Sequence, residues 1–145
     1  MVDIKSEAAL REAIELLYFS YREFIAGPDR ILAERGLSRV HHRILYFVGR
    51  QPGTAVHALL EILAVTKQAL NAPLRKLIEM KLVSSRAGTD DRRVRKLTLT
   101  PEGARLEARL TGTQIRQLTT VFAAAGKPAE AGWRAVMRTL ATRRT

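Results

Sequence analysis

The spacing of apolar residues changes abruptly between residues 54 and 99, and this change limits the folds open to the chain more than any other feature. Two short segments repeat apolar residues at steps of three and four, and a threonine suited to the N-cap position, Thr54 or Thr66, opens each of them. From Leu82 onward the spacing becomes two, which predicts strands over residues 82–86 and 94–99 with a turn between them. Two short helices with a tight joint, followed by a β-hairpin, predict a winged helix-turn-helix.

Helical patterns occupy the rest of the chain. The sequence predicts a helix over residues 7–26 that ends at Gly27-Pro28, a short helix over 30–35, and a helix opened by Ser38. Thr100-Pro101-Glu102 opens a long helix to about residue 125, because proline is favoured at the first helical position. A last helix follows Gly126. The expected fold is therefore mainly α with a small β-hairpin wing, as a single domain over residues 1–145.

The flanking regions, residues 1–36 and 100–145, are amphipathic beyond what a winged region of residues 37–99 needs. We expect them to be dimerisation helices that form a bundle between the two copies of a homodimer. The alternative is that these helices complete the core of a monomer.

The charge of the chain favours a polyanionic partner. The net charge is +11, and residues 37–99 alone carry 12 basic and 4 acidic side chains. Double-stranded DNA is the expected partner, and no membrane partner is expected, because no segment approaches the length of an apolar span. The absence of cysteine and the polar N-terminus fit a cytoplasmic protein. We expect no cofactor and no metal, because the adjacent His41 and His42 would point about 100° apart on a helix.

The helix opened by Thr66 carries the candidate base-reading residues. We expect DNA contacts from its N-cap Thr66 and from its predicted outer face. That face presents Lys67, Gln68, Asn71 and Arg75, types that pair with base edges or phosphates in the major groove. A polar face of this kind is also what an ordinary solvated helix presents.

The hairpin adds a second basic element. We expect DNA contacts from Arg86, Arg92, Arg93 and Arg95, because an arginine-rich tip suits a phosphate backbone or a narrow minor groove. Asp91 lies two residues before Arg93 and is expected to hold and orient its guanidinium. A charged, solubilising turn is the alternative.

Residues 37–103 resemble the winged helix-turn-helix of the MarR (multiple antibiotic resistance) family. The most specific runs are Asp91-Arg92-Arg93 and Leu99-Thr100-Pro101-Glu102-Gly103. The resemblance implies a homodimer on a pseudo-palindromic operator, acting as a sequence-specific regulator, most often a repressor, and in many members released by a small molecule.

The chain departs from the family pattern at three positions. Lys81 stands where the family often has glycine. Ser85 stands where arginine is common, with Arg86 beside it as a substitute. Pro73 lies inside the recognition helix, where we predict a bend.

The resemblance also implies that an effector, where there is one, binds between the dimer helices and the winged region. Tyr18, His41, His42 and Tyr46 are the main candidates for the walls of that pocket, with Tyr21 and Trp133 as further ones; each is otherwise an ordinary core or boundary residue. No enzyme signature is present. The alternative function is a winged-helix module for non-specific nucleic-acid binding or for RNA or protein interaction.

Overall fold

The computed structural model describes residues 4–142, so the ends of the two predicted flanking regions, residues 1–3 and 143–145, lie outside the described residues. Six helices and three strands follow in this order: α1 Ile4–Glu34, α2 Arg39–Arg50, β1 Thr54–Ala55, α3 Val56–Leu63, α4 Lys67–Glu79, β2 Val83–Ala87, β3 Arg95–Leu99, α5 Pro101–Ala125 and α6 Lys127–Thr142. The mainly α fold with a small wing is confirmed. The functional division at residues 37 and 99 stays a prediction.

A third strand completes the sheet, whose order is β1-β3-β2 with antiparallel pairing throughout. The predicted role of Thr54 as an N-cap is wrong: Thr54 is buried in β1 opposite Leu97, and Ala55 takes the N-cap position of α3. The left-handed φ of Gly53 turns the chain so that its N–H donates to the Leu97 carbonyl at 2.8 Å. Pairing with β3 therefore wins over capping at this threonine.

The predicted break at Gly27-Pro28 is also wrong, because α1 runs without interruption through both residues. Pro28 lacks the N–H that would bond the Phe24 carbonyl, four residues earlier. Gln114 of α5 supplies a replacement donor, with its Nε2 3.4 Å from that oxygen. A Cβ at Gly27 would lie 3.3 Å from the Thr113 side chain, so glycine allows α5 to come this close. Packing against α5 thus preserves a helix that the local sequence would end.

One core joins the winged region to α1 and α5. Buried side chains of α2 and α4 form a large part of it, and Leu32 and Leu110 contribute from the flanking helices. Those of α2 and α4 are Ile44, Leu45, Val48, Leu70, Leu74 and Leu77. The winged region and the long helices α1 and α5 therefore share one continuous hydrophobic core.

The recognition helix α4 ends in a left-handed residue that is not glycine. Lys81 has φ +62°. Its N–H donates to the Ile78 carbonyl at 3.0 Å, and the N–H of Leu82 donates to the Leu77 carbonyl at 2.9 Å. These two bonds form a Schellman motif, in which glycine is normally favoured. The resemblance to a family with glycine here therefore has a physical basis, and the chain keeps the same turn at the cost of strain at Lys81.

The start of α5 locks onto the same turn. The Thr100 hydroxyl donates to the Lys81 carbonyl at 2.7 Å and accepts from the Gly103 N–H at 3.0 Å, so it caps α5. The predicted start of this helix at Pro101 is confirmed. A Cβ at Gly103 would lie 1.9 Å from the Leu82 carbonyl oxygen. Only glycine allows this approach, which explains why Thr100 and Gly103 occur together.

We predict a coupling between Pro28 and Gln114. Gln114→Leu should lower the free energy of unfolding by about 1 kcal/mol, because it leaves the Phe24 carbonyl without a partner. In a Pro28→Ala background the restored N–H takes that carbonyl, so the same change should cost measurably less. Urea unfolding of the four proteins gives the coupling energy; strict additivity would contradict this account.

We also predict that Lys81→Gly stabilises the protein by about 0.5–1 kcal/mol, since glycine adopts the left-handed region without a Cβ penalty. Gly36, which has φ +67° after α1, is the matched control: Gly36→Ala should be destabilising. Thermal unfolding measures both changes, and a Lys81→Gly protein that melts below wild type would refute the strain.

Candidate nucleic-acid interface and interhelical cleft

Helix α4 has one buried and one exposed face, as predicted. Leu70, Leu74 and Leu77 are buried in the core, whereas the predicted DNA-contacting residues of this helix are all exposed. They are Thr66, Lys67, Gln68, Asn71 and Arg75. The Thr66 hydroxyl accepts from the Ala69 N–H at 3.1 Å, which confirms it as the N-cap. The helix thus presents hydrogen-bonding side chains to solvent on a surface that the core holds in place.

The turn of the wing holds an arginine through a carboxylate. Asp91 Oδ1 accepts from the backbone N–H of Arg93 at 3.0 Å and from its Nε at 3.2 Å, and Oδ2 accepts from Nη2 at 3.2 Å. These hydrogen bonds lower the pKa of the Asp91 carboxyl. The contact that the sequence suggested between these two residues is present in the structure, and Arg92 beside it is exposed.

The strands of the wing send their basic residues to opposite faces. Ser85 lies opposite the buried Leu97, and Arg95 lies opposite Ala87, all on one face of the sheet. Arg86 pairs with Lys96 on the other face. Arg86 therefore does not occupy the place of an arginine at position 85. Lys96 is an exposed basic residue that the sequence analysis did not single out.

A cleft of about 340 Å³ opens where α1, α2 and α5 meet. Its apolar and aromatic wall includes Phe24, Tyr46 and Phe47, and its polar wall carries an ion pair between Arg39 and Asp29 at 3.0 Å. Arg43 also lines the cleft and donates to the Tyr21 hydroxyl at 3.0 Å. The pair leaves Arg43 as the cation of this wall that no carboxylate among the described residues neutralises.

Three of the predicted pocket residues line this cleft: Tyr21, His42 and Tyr46. Tyr18 and Trp133 do not; Tyr18 is 59 % exposed on α1, and Trp133 packs against Phe122 with ring centroids 5.2 Å apart and the ring planes tilted by 58°. His41 does not line this cleft either. His41 is buried beside the start of α2, where its Nδ1 accepts from the Ser38 N–H at 2.9 Å. Adjacent histidines on a helix point in different directions, and only the second one points into the cleft.

His42 connects α2 to α5 through a short chain of hydrogen bonds. The Thr111 hydroxyl donates to the Glu107 carboxylate, so it accepts from His42 Nε2, which lies 3.2 Å away. Burial lowers the pKa of His42, while Glu107 and Asp29 oppose that effect and Arg43 adds to it. Burial and the nearby Lys76 also lower the pKa of His41. Folding therefore favours the neutral form of both rings relative to a free imidazole.

Comparison with known proteins identifies the family. The MarR family profile matches residues 35–94. The HTH-type transcriptional regulator PetP of Rhodobacter capsulatus is 44 % identical over 135 residues, which span 93 % of this chain and 81 % of that protein. The chain belongs to the MarR family.

Solved structures give the same fold. Streptococcus pneumoniae FabT in complex with DNA superposes with a TM-score of 0.78 at 16 % identity, covering 90 % of this MarR-family chain and 94 % of FabT. The Staphylococcus aureus MepR–DNA complex gives a TM-score of 0.72 at 18 % identity, covering 88 % and 95 % of the two chains. At these identities the likeness establishes the winged-helix architecture alone.

The departures of this MarR-family chain leave that architecture intact. Helix α4 continues through Pro73 to Glu79, and the bend expected there stays a prediction.

Within residues 4–142, no helix is long and apolar enough to cross a membrane, and no group of three histidine, aspartate or glutamate side chains is arranged to hold a metal ion.

We predict that stability falls with acidification and that His42 carries part of this fall. A histidine whose folded pKa lies below its unfolded value of 6.5 stabilises the fold above that pH, and this contribution is lost as pH falls through the folded pKa. His42→Gln removes the titration, so the free energy of unfolding should drop less between about pH 7.5 and about pH 5 than in the wild type. His41 still titrates in that variant. An unchanged pH dependence would show that His42 is not held neutral.

Proposed function

We propose that this MarR-family protein is a sequence-specific, double-stranded-DNA-binding transcriptional regulator that acts as a homodimer on a pseudo-palindromic operator. The observation that carries the proposal is the exposed face of α4, which presents Gln68, Asn71 and Arg75 opposite a row of buried leucines. An α-helix fits the major groove, and these side-chain types pair with base edges there. We assign Lys67 and the N-cap Thr66 to the same surface.

The wing supplies the second contact. Arg92, Arg93 and Arg95 are exposed on or beside the turn, and Asp91 fixes the guanidinium of Arg93 before any DNA arrives. Such a tip suits a phosphate backbone or a narrow minor groove. Arg86, on the other face of β2, belongs to the same basic element.

Exposed apolar side chains support the dimer. Helix α1 exposes Leu10, Ile14, Leu17 and Phe19, each by about half or more, and α6 exposes Val136 by 66 %. A monomer seldom leaves so much apolar surface in contact with water, so we assign these helices to an interface with a second copy.

Sedimentation should give twice the chain mass of 16.2 kDa, whereas a monomer mass in dilute solution counts against the dimer.

The cleft is the proposed effector site. Aromatic walls with one uncompensated cation, Arg43, suit a small aromatic anion. Repression is the expected effect on transcription, because a bound dimer occupies promoter DNA.

Release of operator by such an anion should require Arg43, so Arg43→Ala should abolish it. Arg30→Ala, which removes the same charge from an exposed position outside the cleft, is the control.

Selection of bound duplexes from a random pool at physiological salt tests sequence recognition. We expect an inverted repeat with half-sites about 10 bp apart, one helical turn. No enrichment would favour non-specific nucleic-acid binding or an RNA- or protein-interaction module.

Two variants separate base reading from backbone binding. Asn71→Ala should relax preference at one position per half-site, at a cost of about 1–3 kcal/mol if the amide makes a bidentate contact. Arg93→Ala should weaken binding to all duplexes alike. Binding titrations on operator and random duplex measure both, and equal losses on random DNA would contradict this division.

A further inference from the structure

Ser85 holds Arg95 in a defined position on the wing. Arg95 Nε donates to the Ser85 hydroxyl at 3.1 Å, and Nη2 donates to the Ser85 carbonyl at 2.8 Å. The two residues are diagonal neighbours on one face of the β2–β3 pair, a spacing that a long side chain crosses easily. The guanidinium of Arg95 therefore lies over position 85, although its backbone belongs to the other strand.

Arg93, the other arginine of the wing that is held by a neighbour, is anchored through its Nε and Nη2 in the same way. Arg93 uses Nε and Nη2 to contact Asp91, as Arg95 uses them to contact Ser85. A guanidinium has five N–H donors, so the second fork, formed by Nη1 and the remaining Nη2 hydrogen, stays available for a bidentate partner. Among the described residues, no further hydrogen bond of Arg95 uses that fork.

The two anchored arginines belong to pairs of different net charge. Asp91 is a carboxylate whose pKa is lowered by Arg93, so that pair carries no net charge at neutral pH. Ser85 is neutral, and Arg95 therefore keeps its full positive charge while its geometry is fixed. A fixed, uncompensated guanidinium with an open fork matches a phosphate, which accepts bidentate hydrogen bonds and releases counterions when it is neutralised.

We propose that Ser85 is a positioning residue that presents Arg95 to a backbone phosphate of the bound duplex. This assignment rests on the proposed DNA-binding function and adds the contact that the wing makes. Arg95 contributes a charge–phosphate contact, and Ser85 acts only through Arg95.

The salt dependence of binding tests the contact on Arg95. Affinity is measured against salt concentration for the selected operator and for a random duplex of the same length, because a phosphate contact shows on both. Arg95→Ala should lower the slope of log affinity against log salt by about 0.9 per contact, which corresponds to about fivefold weaker binding per contact at about 0.15 M salt. Ser85→Ala keeps the charge, so it should weaken binding about two- to tenfold with the slope unchanged.

A positional exchange tests the geometry. In the Arg95→Ala background, Ser85→Arg places a guanidinium on the same face and should restore the slope. Ser84→Arg is the matched control, because residue 84 points to the opposite face of β2 and should not restore it. Unfolding midpoints of all variants confirm that the fold is intact.

The outcomes separate this inference from the function on which it rests. A wild-type slope in Arg95→Ala overturns the contact, even when the operator is still recognised. Equal rescue by arginine at 84 and 85 overturns the role of position 85. A wild type that binds without sequence preference overturns the proposed regulator, whereas the Arg95 slope on random duplex still decides the phosphate contact.

Discussion

The hydroxyl of Thr100 makes the contact on which the arrangement of the DNA-facing elements depends. It bonds the carbonyl of Lys81, where α4 has just ended, and the N–H of Gly103, where α5 begins. The Thr100 N–H also donates to the Leu82 carbonyl at 3.1 Å, next to the first residue of β2. The recognition helix, the wing and the longest C-terminal helix are thus fixed relative to one another within a few residues.

Local patterns sufficed where one element decided its own structure. The apolar spacing of α4 and the capping residues Thr66 and Thr100 gave the recognition helix and the start of α5 correctly, since caps and amphipathic faces act within a few residues. They failed at Thr54 and at Gly27-Pro28. In both places a distant segment supplied the deciding hydrogen bond: β3 pairs with Thr54, and Gln114 compensates for Pro28. Such partners are far apart in sequence, and local propensity carries no information about them.

The candidate sites show the same division. The exposed face of α4 and the pairing of Asp91 with Arg93 followed from spacings of two to four residues. The cleft could not be predicted from such spacings, because its walls come from three helices. Only the packing of α1 on α5 brings Phe24 and Gln114 to it. The placement of the Arg95 guanidinium over Ser85 could not be predicted from the sequence either, since it depends on the register of two strands. Aromatic residue type alone, as at Tyr18, does not distinguish a pocket wall from an exposed helix face.

The unbroken course of α1 has a mechanical consequence. The helix has 31 residues, and its span from Glu7 to Gly27 measures about 30 Å at the α-helical rise. Its close crossing with α5 at Gly27 and Thr113 lies at one end of this span. A tilt of about 10° there moves the far end by about 5 Å, which is one helical turn. Had the chain broken at Gly27-Pro28, the exposed end of α1 would lie on a different helix from Asp29, which lines the cleft; in the unbroken helix a tilt of one carries the other with it.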